Sequence, residues 1–347
     1  MDYLLSVDRL PPFLIPFVSL SYPVETPAHP DCFPDASYYD LGYFDLCIMV
    51  SCVALLAVLR DSARLAIFEP FASWMLTRDW RIRQGQKQLT NGHTGEKGTM
   101  TPPEEPQMGP AEARRIHRSV LRFAEQGWQF MYCAAQWAFG LYIHLNVPFD
   151  VWTGYPHIPL PGPIKAYYIL QMSFYCHGVF VLNAEARRKD HWQMMTHHVI
   201  TIALMVLSYA YNVTRVGCLI LVIMDFCDII LPAAKMLRYL GYRTLCDIMF
   251  GIFVISWFIT RHVLFVWVTI WTYNDLPRVA GLGWDVEKRH YLTRTNWIIF
   301  VVLLCLLEVI QSIWSFMIYR VVWRVVMGQG AEDTRSDDED EEIKKER

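Results

Sequence analysis

Seven apolar runs dominate the pattern of hydrophobic and polar positions along the chain. Each is close to the roughly 20 residues that a helix needs to cross about 30 Å of hydrocarbon at 1.5 Å per residue. A backbone in lipid must satisfy its own hydrogen bonds, so such runs are expected to be helical. The pattern predicts an all-α, polytopic membrane bundle of about seven transmembrane helices. The runs lie at about 41–59, 128–147, 164–183, 196–212, 215–233, 247–271 and 298–320.

The polar stretches between these runs divide the chain into segments. The middle of the first long polar stretch, 85–110, is rich in Gly, Pro, Thr and Gln, a composition typical of disorder. We therefore predict an N-terminal segment, a first transmembrane helix, a basic and partly disordered linker, a six-helix domain and an acidic tail. Their bounds are 1–40, 41–59, 60–112, 113–327 and 328–347.

Composition supports a membrane protein over a soluble one. The 347 residues are 54% hydrophobic and only 19% charged, and soluble domains carry more charge than this. The nine cysteines are scattered, mostly inside the apolar runs and without a CxxC pair, so we expect them to be small buried hydrophobic residues.

The basic residues between the runs predict the orientation of the chain. Arg187, Arg188 and Lys189 separate the third run from the fourth, and Lys235 follows the fifth, whereas the loop 148–163 has no Lys or Arg. Basic loops stay on the cytosolic side. We therefore expect a lumenal N-terminus and a cytosolic C-terminus. The loop 272–296 is an exception, because it carries four bases on the predicted lumenal side.

Four ionisable residues interrupt two of the apolar runs. His197 and His198 open the fourth run, and Asp225 and Asp228 lie inside the fifth, three residues apart and thus on one helix face. The short turn between the runs predicts antiparallel neighbours, which would bring both pairs together in the cytosolic half of the membrane. Ionisable groups there are costly and usually functional. A His beside a carboxylate is a general-base arrangement.

Other interpretations of these residues remain open. An interhelical His–Asp bond can simply hold two spans together. Two His and two Asp could hold one zinc ion, although a metal-free acid–base site is the better fit. A di-iron oxygenase would need about eight His in spaced boxes, and only His191, His197 and His198 cluster here. The mid-span Arg261 is expected to be structural or to line a cavity, with a carboxylate such as Glu308 as one candidate partner.

A long motif runs through this region. It comprises RRKDH at 187–191, HHxxT from His197 to Thr201, SY at 208–209, TRVG at 214–217 and DxxDxxLxxxK from Asp225 to Lys235. Together these segments resemble the ceramide synthases, the Lag1-type acyltransferases of the TLC superfamily, over roughly 113–327. Pro232 departs from the usual residue at its position. The resemblance implies the TLC fold, with a polar catalytic cavity opening to the cytosol.

The resemblance also implies an activity, the N-acylation of a sphingoid base by a fatty acyl-CoA to give ceramide and CoA. One of His197 and His198 would be the base, or a nucleophile that forms an acyl-imidazole, with Asp225 or Asp228 in support. Acyl-CoA is then a substrate, and neither a cofactor nor a metal is expected. The residues expected to bind substrate are Arg187, Arg188, Lys189, Lys235 and Arg261.

The remaining expectations concern partners and location. The family resemblance allows a homo- or heterodimer and a small single-span accessory subunit in the membrane, and it gives no reason to expect nucleic acid. Lys344 and Lys345 form a dilysine retrieval pattern, which predicts the endoplasmic reticulum membrane. Ser336 precedes DDEDEE, the pattern of an acidophilic kinase site. The alternative function is a non-catalytic TLC protein that senses lipid or associates with the translocon.

Overall fold

The computed structural model describes residues 10–92, 108–185 and 189–327, and this part of the chain is mainly helical. Each predicted apolar run coincides with a helix, so the helical architecture is confirmed. The helices are α1 (Ile15–Val18), α2 (Asp45–Ala63), α3 (Glu69–Gly92), α4 (Pro110–Leu145), α5 (Gly162–Ala184), α6 (His191–Ala210), α7 (Thr214–Tyr239), α8 (Arg243–Trp257), α9 (Phe265–Asn274), α10 (Leu276–Val279) and α11 (Arg294–Val326).

Within the described residues, four helical stretches are long and apolar enough to cross a membrane. The stretches are Asp45–Lys87, Thr214–Tyr239, Arg243–Val279 and Arg294–Val326. The other three predicted runs lie in α4, α5 and α6, which have 36, 23 and 20 residues. The chain is therefore a multi-pass membrane protein, and the count of seven spans stays a prediction.

The helix that begins with α2 does not end where the first apolar run ends. A π-helical turn at Arg64–Phe68 joins α2 to α3, so the helix continues to Gly92 through the first part of the predicted linker. Pro70 lies two residues after the end of this turn. A proline inside a helix lacks the N–H donor and crowds the carbonyl four residues earlier, and a widened turn accommodates both effects. A second π-helical turn, Phe258–Leu264, joins α8 to α9.

Three short strands are an exception to the all-α prediction. They are β1 (Pro23–Val24), β2 (Tyr38–Tyr39) and β3 (Leu160–Pro161), in an antiparallel sheet of order β1-β2-β3. Since β3 immediately precedes α5, this sheet ties the N-terminal segment to the start of that helix.

A buried lysine at the start of α5 reinforces this connection. Lys165 is fully buried, and its Nζ lies 2.8 Å from the carbonyl oxygen of Ser21 and 2.7 Å from that of Asp40. It also lies 2.7 Å from Oδ1 of Asp45, whose Oδ2 accepts a 2.9 Å hydrogen bond from the Tyr209 hydroxyl. An ammonium has three N–H donors, and each has an acceptor here. A buried charge is tolerated only with such partners.

The chain divides into two compact units. The first comprises residues 1–57, 134–227 and 254–347, and the second comprises 58–133 and 228–253. In the first unit, α5 is central to a hydrophobic core that includes Ile164, Tyr167 and Met172. In the second, α3 and α4 share a core built on Ala72 and Phe123. The histidines and Asp225 belong to the first unit, and Asp228 belongs to the second.

Candidate active site

The two histidines on α6 face α5 on one side and α11 on the other. The Tyr175 ring of α5 lies edge-on to both imidazoles, with centroid distances of 6.1 Å to His197 and 5.6 Å to His198. On the other side, the Trp314 ring of α11 lies 5.4 Å from His197. The closest packing of α6 is with α5 and α11. Leu204 and Leu207 of α6 also share a hydrophobic cluster with Val216 of α7, and the meeting of the histidines with the aspartates stays a prediction.

The hydrogen bond of His198 assigns its tautomer. Its Nδ1 lies 2.9 Å from the carbonyl oxygen of Met194, one helical turn earlier. A carbonyl can only accept, so Nδ1 carries the proton and Nε2 of the neutral ring keeps its lone pair. A Cβ placed on Gly178 of α5 would lie 2.6 Å from this Nε2. The potential base therefore faces a glycine on the neighbouring helix.

His197 has a different environment. Its Nδ1 makes a long contact of 3.5 Å with the Thr201 hydroxyl, four residues later on the same face of α6. Its ring lies at right angles to that of His198, with centroids 5.5 Å apart. His197 is thus enclosed by aromatic rings, whereas His198 presents a nitrogen to α5.

Asp225 lies on α7 and is only 6% exposed. Its Oδ2 accepts a 2.5 Å hydrogen bond from Nε2 of Gln171, and the same amide nitrogen lies 3.3 Å from the Tyr167 hydroxyl. Neither His197 nor His198 hydrogen-bonds a carboxylate of the residues that the structure describes. The direct His–Asp pairing therefore stays a prediction. Asp228 lies three residues further along α7, half-buried.

A stripe on α5 connects these features. Tyr168, Gln171, Tyr175 and Gly178 follow one another at intervals of three and four residues, so they share one face of the helix. The Tyr168 hydroxyl lies 2.6 Å from the Ser208 hydroxyl of α6. The same stripe thus touches Ser208 and both histidines of α6, and Asp225 of α7. Sequence reasoning missed it, although two tyrosines and a glutamine at helical spacing in an apolar run were a usable signal.

A second polar cluster lies where the second π-helical turn meets α11. The His262 Nδ1 is 2.7 Å from Oε1 of Glu308, and its Nε2 is 2.5 Å from the Ser315 hydroxyl oxygen. That hydroxyl donates to the carbonyl of Gln311 (2.9 Å), so His262 Nε2 is the donor to it. A proton must then also lie between Nδ1 and Glu308. His262 and Glu308 form either an imidazolium–carboxylate pair or a neutral pair, and either carries no net charge.

Arg261 is buried against α7 beside this cluster. It is 5% exposed, and its Nη2 donates to the carbonyl oxygen of Met224 at 2.9 Å, while Nη1 contacts the Met224 sulfur. Its guanidinium carbon lies 5.0 Å from the centre of the Trp257 ring, within the range of a cation–π contact. Met224, the residue before Asp225, thus holds the Arg261 guanidinium in place. This contact agrees with the expectation that Arg261 is structural or lines a cavity.

The structure describes only some of the basic residues that were predicted to bind substrate. Lys189 is exposed just before α6, and Lys235 is half-buried in α7. Arg187, Arg188, Ser336 and the dilysine pair fall outside the described residues. Among the described His, Cys, Asp and Glu side chains, no group of three or more is placed to hold a metal ion.

Comparisons of the sequence show which known proteins this chain is similar to. Residues 122–320 match the family model of the TLC domain. Sphingosine N-acyltransferase lag1 of Schizosaccharomyces pombe is 34% identical over 339 residues, covering 96% of this chain and 75% of the relative. Ceramide Synthase FUM18 of Gibberella moniliformis is 32% identical, covering 97% and 76%. Ceramide synthase 5 of Mus musculus is 31% identical over 63% of this chain and 52% of its own length.

Proposed function

Because this chain belongs to the TLC-domain family and, within it, to the Lag1-type ceramide synthases, we propose that it transfers an acyl group from a fatty acyl-CoA to the amine of a sphingoid base. The products are ceramide and CoA. The single observation that supports a histidine mechanism is the His198 ring. Its Nδ1–H is held by the Met194 carbonyl, and its Nε2 lone pair faces α5.

His198 acts as the base in the direct route. Nε2 accepts a proton from the sphingoid ammonium, and the freed amine attacks the thioester carbonyl. Nε2 passes this first proton to solvent. As the N–C bond forms and the C–S bond breaks, Nε2 takes a second proton from the nitrogen and returns it to the leaving thiolate. In the covalent route, Nε2 attacks first, the C–S bond breaks and the CoA thiolate leaves. The deprotonated amine then takes the acyl group from the acyl-imidazole, and the proton that its nitrogen loses passes to the thiolate. The hydrogen bond on Nδ1 orients Nε2 in both routes.

The other polar residues support the reaction through the electrostatics of the site. Asp225 and Asp228 stabilise the positive charge that develops on the imidazole, with Gln171 holding Asp225 in place. Arg261 supplies positive potential near α7. Removing water around such groups strengthens their interactions, because the dielectric screening is lower.

The position in the membrane completes the proposal. Seven helices cross the membrane of the endoplasmic reticulum, with the N-terminus lumenal and a polar cavity open to the cytosol. Phosphate groups of acyl-CoA meet the basic residues Arg187, Arg188, Lys189 and Lys235 there, since cations and phosphates form charge-assisted hydrogen bonds. A dimer or a small single-span subunit would add contacts within the membrane.

The test measures CoA release from a fatty acyl-CoA and sphinganine by the purified full chain. His198→Ala is expected to lower the rate roughly 100- to 10,000-fold, the usual worth of a positioned base. His117→Ala, an exposed histidine on α4, is the matched control and should keep the rate. No CoA release by the unsubstituted protein would favour the non-catalytic alternative, and full activity of His198→Ala would overturn the assignment of the base.

Intact-protein mass after incubation with acyl-CoA alone separates the two routes. An added mass of one acyl group that disappears when sphinganine is supplied identifies the covalent route. A protein that turns over both substrates without ever gaining this mass uses direct transfer.

A further inference from the structure

A cleft lies beside the N-terminal segment, remote in sequence from the histidines. Its volume is about 180 Å³, and its lining combines prolines, other apolar residues and polar residues. The lining residues come from the segments 27–32 and 154–161 and from Tyr38 of β2, Ile164 of α5 and Arg215 of α7. All of these belong to the first unit.

Arg215 enters this cleft with part of its hydrogen-bonding capacity unused. It is only 6% exposed, and its Nη2 bonds the Asp31 carboxylate and lies 3.8 Å from the Cys32 sulfur. Its Nε and Nη1 are buried and have no hydrogen-bond partner among the described residues. A guanidinium has five N–H donors, and buried donors in folded proteins are normally paired. Two donor positions of a cation that lines the cleft are therefore buried and without a partner among the described residues.

His157 supplies the complementary group. It is 7% exposed, and its Nε2 lies 3.0 Å from the carbonyl of Thr153, so Nε2 carries the proton. Nδ1 is then a lone-pair acceptor, buried and without a partner in the described part of the chain. Burial, helped by the nearby Arg215 charge, lowers the pKa of His157 to about 4. The ring is therefore neutral at neutral pH and can only accept at Nδ1.

We propose that this cleft binds a phosphate that still carries a proton, as hydrogen phosphate or a phosphate monoester. Its oxygens accept from Nε and Nη1 of Arg215, and its O–H donates to Nδ1 of His157. A fully deprotonated anion satisfies the arginine but leaves the imidazole acceptor unpaired. The combination of a cation and an acceptor thus selects for a protonated oxyanion.

Asp31 is the one group in the cleft that opposes an anion. Its carboxylate already bonds Arg215, and its side chain is 51% exposed. The proposal requires this carboxylate to turn toward solvent when phosphate binds, so that the buried Nε and Nη1 of Arg215 become accessible. Replacing Asp31 by Asn removes the negative charge that repels an anion, and the neutral amide oxygen that remains is a weaker acceptor for Arg215. This change should therefore strengthen binding.

The test uses the full chain in phosphatidylcholine nanodiscs, with the thermal unfolding midpoint followed by tryptophan fluorescence. Inorganic phosphate is titrated at pH 7 and constant ionic strength, and sulfate is titrated in parallel. A ligand that binds only the folded state raises the midpoint by mass action. Phosphate should give a saturable rise, and sulfate, which has the same shape but no proton at this pH, should need at least a threefold higher concentration.

Three variants decide the assignment. Asp31→Asn should lower the half-saturating phosphate concentration at least threefold, and His157→Leu should raise it at least tenfold. Arg289→Lys is the matched control, because Arg289 forms an ion pair with Asp40 outside the cleft lining. It should leave the response unchanged. If His157→Leu does not fold, Asp31→Asn alone decides.

The result can also identify the source of the phosphate. A headgroup ligand predicts a raised midpoint in nanodiscs that contain phosphatidate, with little further rise on adding inorganic phosphate. A free-phosphate ligand predicts the same titration in both kinds of nanodisc. No saturable response, or one that Asp31→Asn and His157→Leu both leave unchanged, means an adventitious ion only and overturns the proposal.

Discussion

Gly178 on α5 and Nε2 of His198 on α6 lie so close that a side chain at position 178 would have to displace the imidazole. A Cβ at position 178 would lie 2.6 Å from Nε2 and 3.0 Å from Cδ2. The ring cannot retreat freely, because its Nδ1 is bonded to the Met194 carbonyl. Gly178 thus belongs to the site as the residue that leaves room for the imidazole.

Replacing Gly178 by Ala should impair catalysis more than folding. The added methyl group must displace the His198 ring or lengthen its bond to Met194, and small displacements of a reacting group are costly. We expect CoA release to fall at least tenfold while the circular-dichroism spectrum keeps its helical form. Gly251→Ala is the matched control, since nothing lies within 4 Å of its would-be Cβ. Equal activity of the two variants would contradict the proposed role of His198.

Gly217 lies directly against the Tyr168 side chain. A Cβ at Gly217 on α7 would overlap the Tyr168 hydroxyl, which bonds Ser208. Gly217→Ala should therefore lower the thermal unfolding midpoint, because the tyrosine must leave a fully buried position. Tyr168→Phe removes the clashing oxygen, so the double variant should unfold at a higher temperature than Gly217→Ala alone. A double variant that is less stable than both single variants would show that the clash is not the cause.

The buried ion pair of Lys165 and Asp45 should contribute more to the free energy of unfolding than a surface ion pair does. Lys165→Met leaves Asp45 buried without its cation and is expected to lower the free energy of unfolding by about 3–5 kcal/mol. Adding Asp45→Asn should restore part of this loss. Lys288→Met is the control, because that side chain is 81% exposed and pairs with Asp285 at 3.8 Å. It should change the free energy of unfolding by less than about 1 kcal/mol.

Acid should destabilise the protein partly through His157. The pKa of His157 is about 4 in the folded chain, whereas an ordinary histidine has a pKa of 6.5. The unfolded state therefore binds the proton more readily than the folded state. Its contribution to stability is present above pH 6.5 and is lost as the pH falls from 6.5 to about 4, by up to about 3 kcal/mol. His157→Gln should flatten this part of the stability–pH curve. The measurement is the free energy of unfolding between pH 4 and 7.5, and an unchanged slope in the variant would contradict it.

The apolar runs were sufficient to predict the helices, and the family motif was sufficient to name candidate catalytic residues. A run of about 20 apolar residues has few alternatives to a helix in lipid, because its backbone must bond to itself. His197, His198, Asp225 and Asp228 stand out because ionisable groups are rare in such runs. Hydropathy falls near Leu59, the end of the predicted first span, while the helical hydrogen bonding continues to Gly92.

What the sequence by itself determined was therefore the helical class, the membrane setting and the identity of the candidate catalytic residues, because each depends on local composition and spacing. Only the tertiary structure decided that α5 contacts both the histidine helix and the aspartate helix, and that Gln171 and Gly178 meet Asp225 and His198. It also decided that Lys165 bonds the carbonyl of Asp40, 125 residues away. Such pairings depend on which helix faces are adjacent in space, and that information is not carried by the periodicity of any single run.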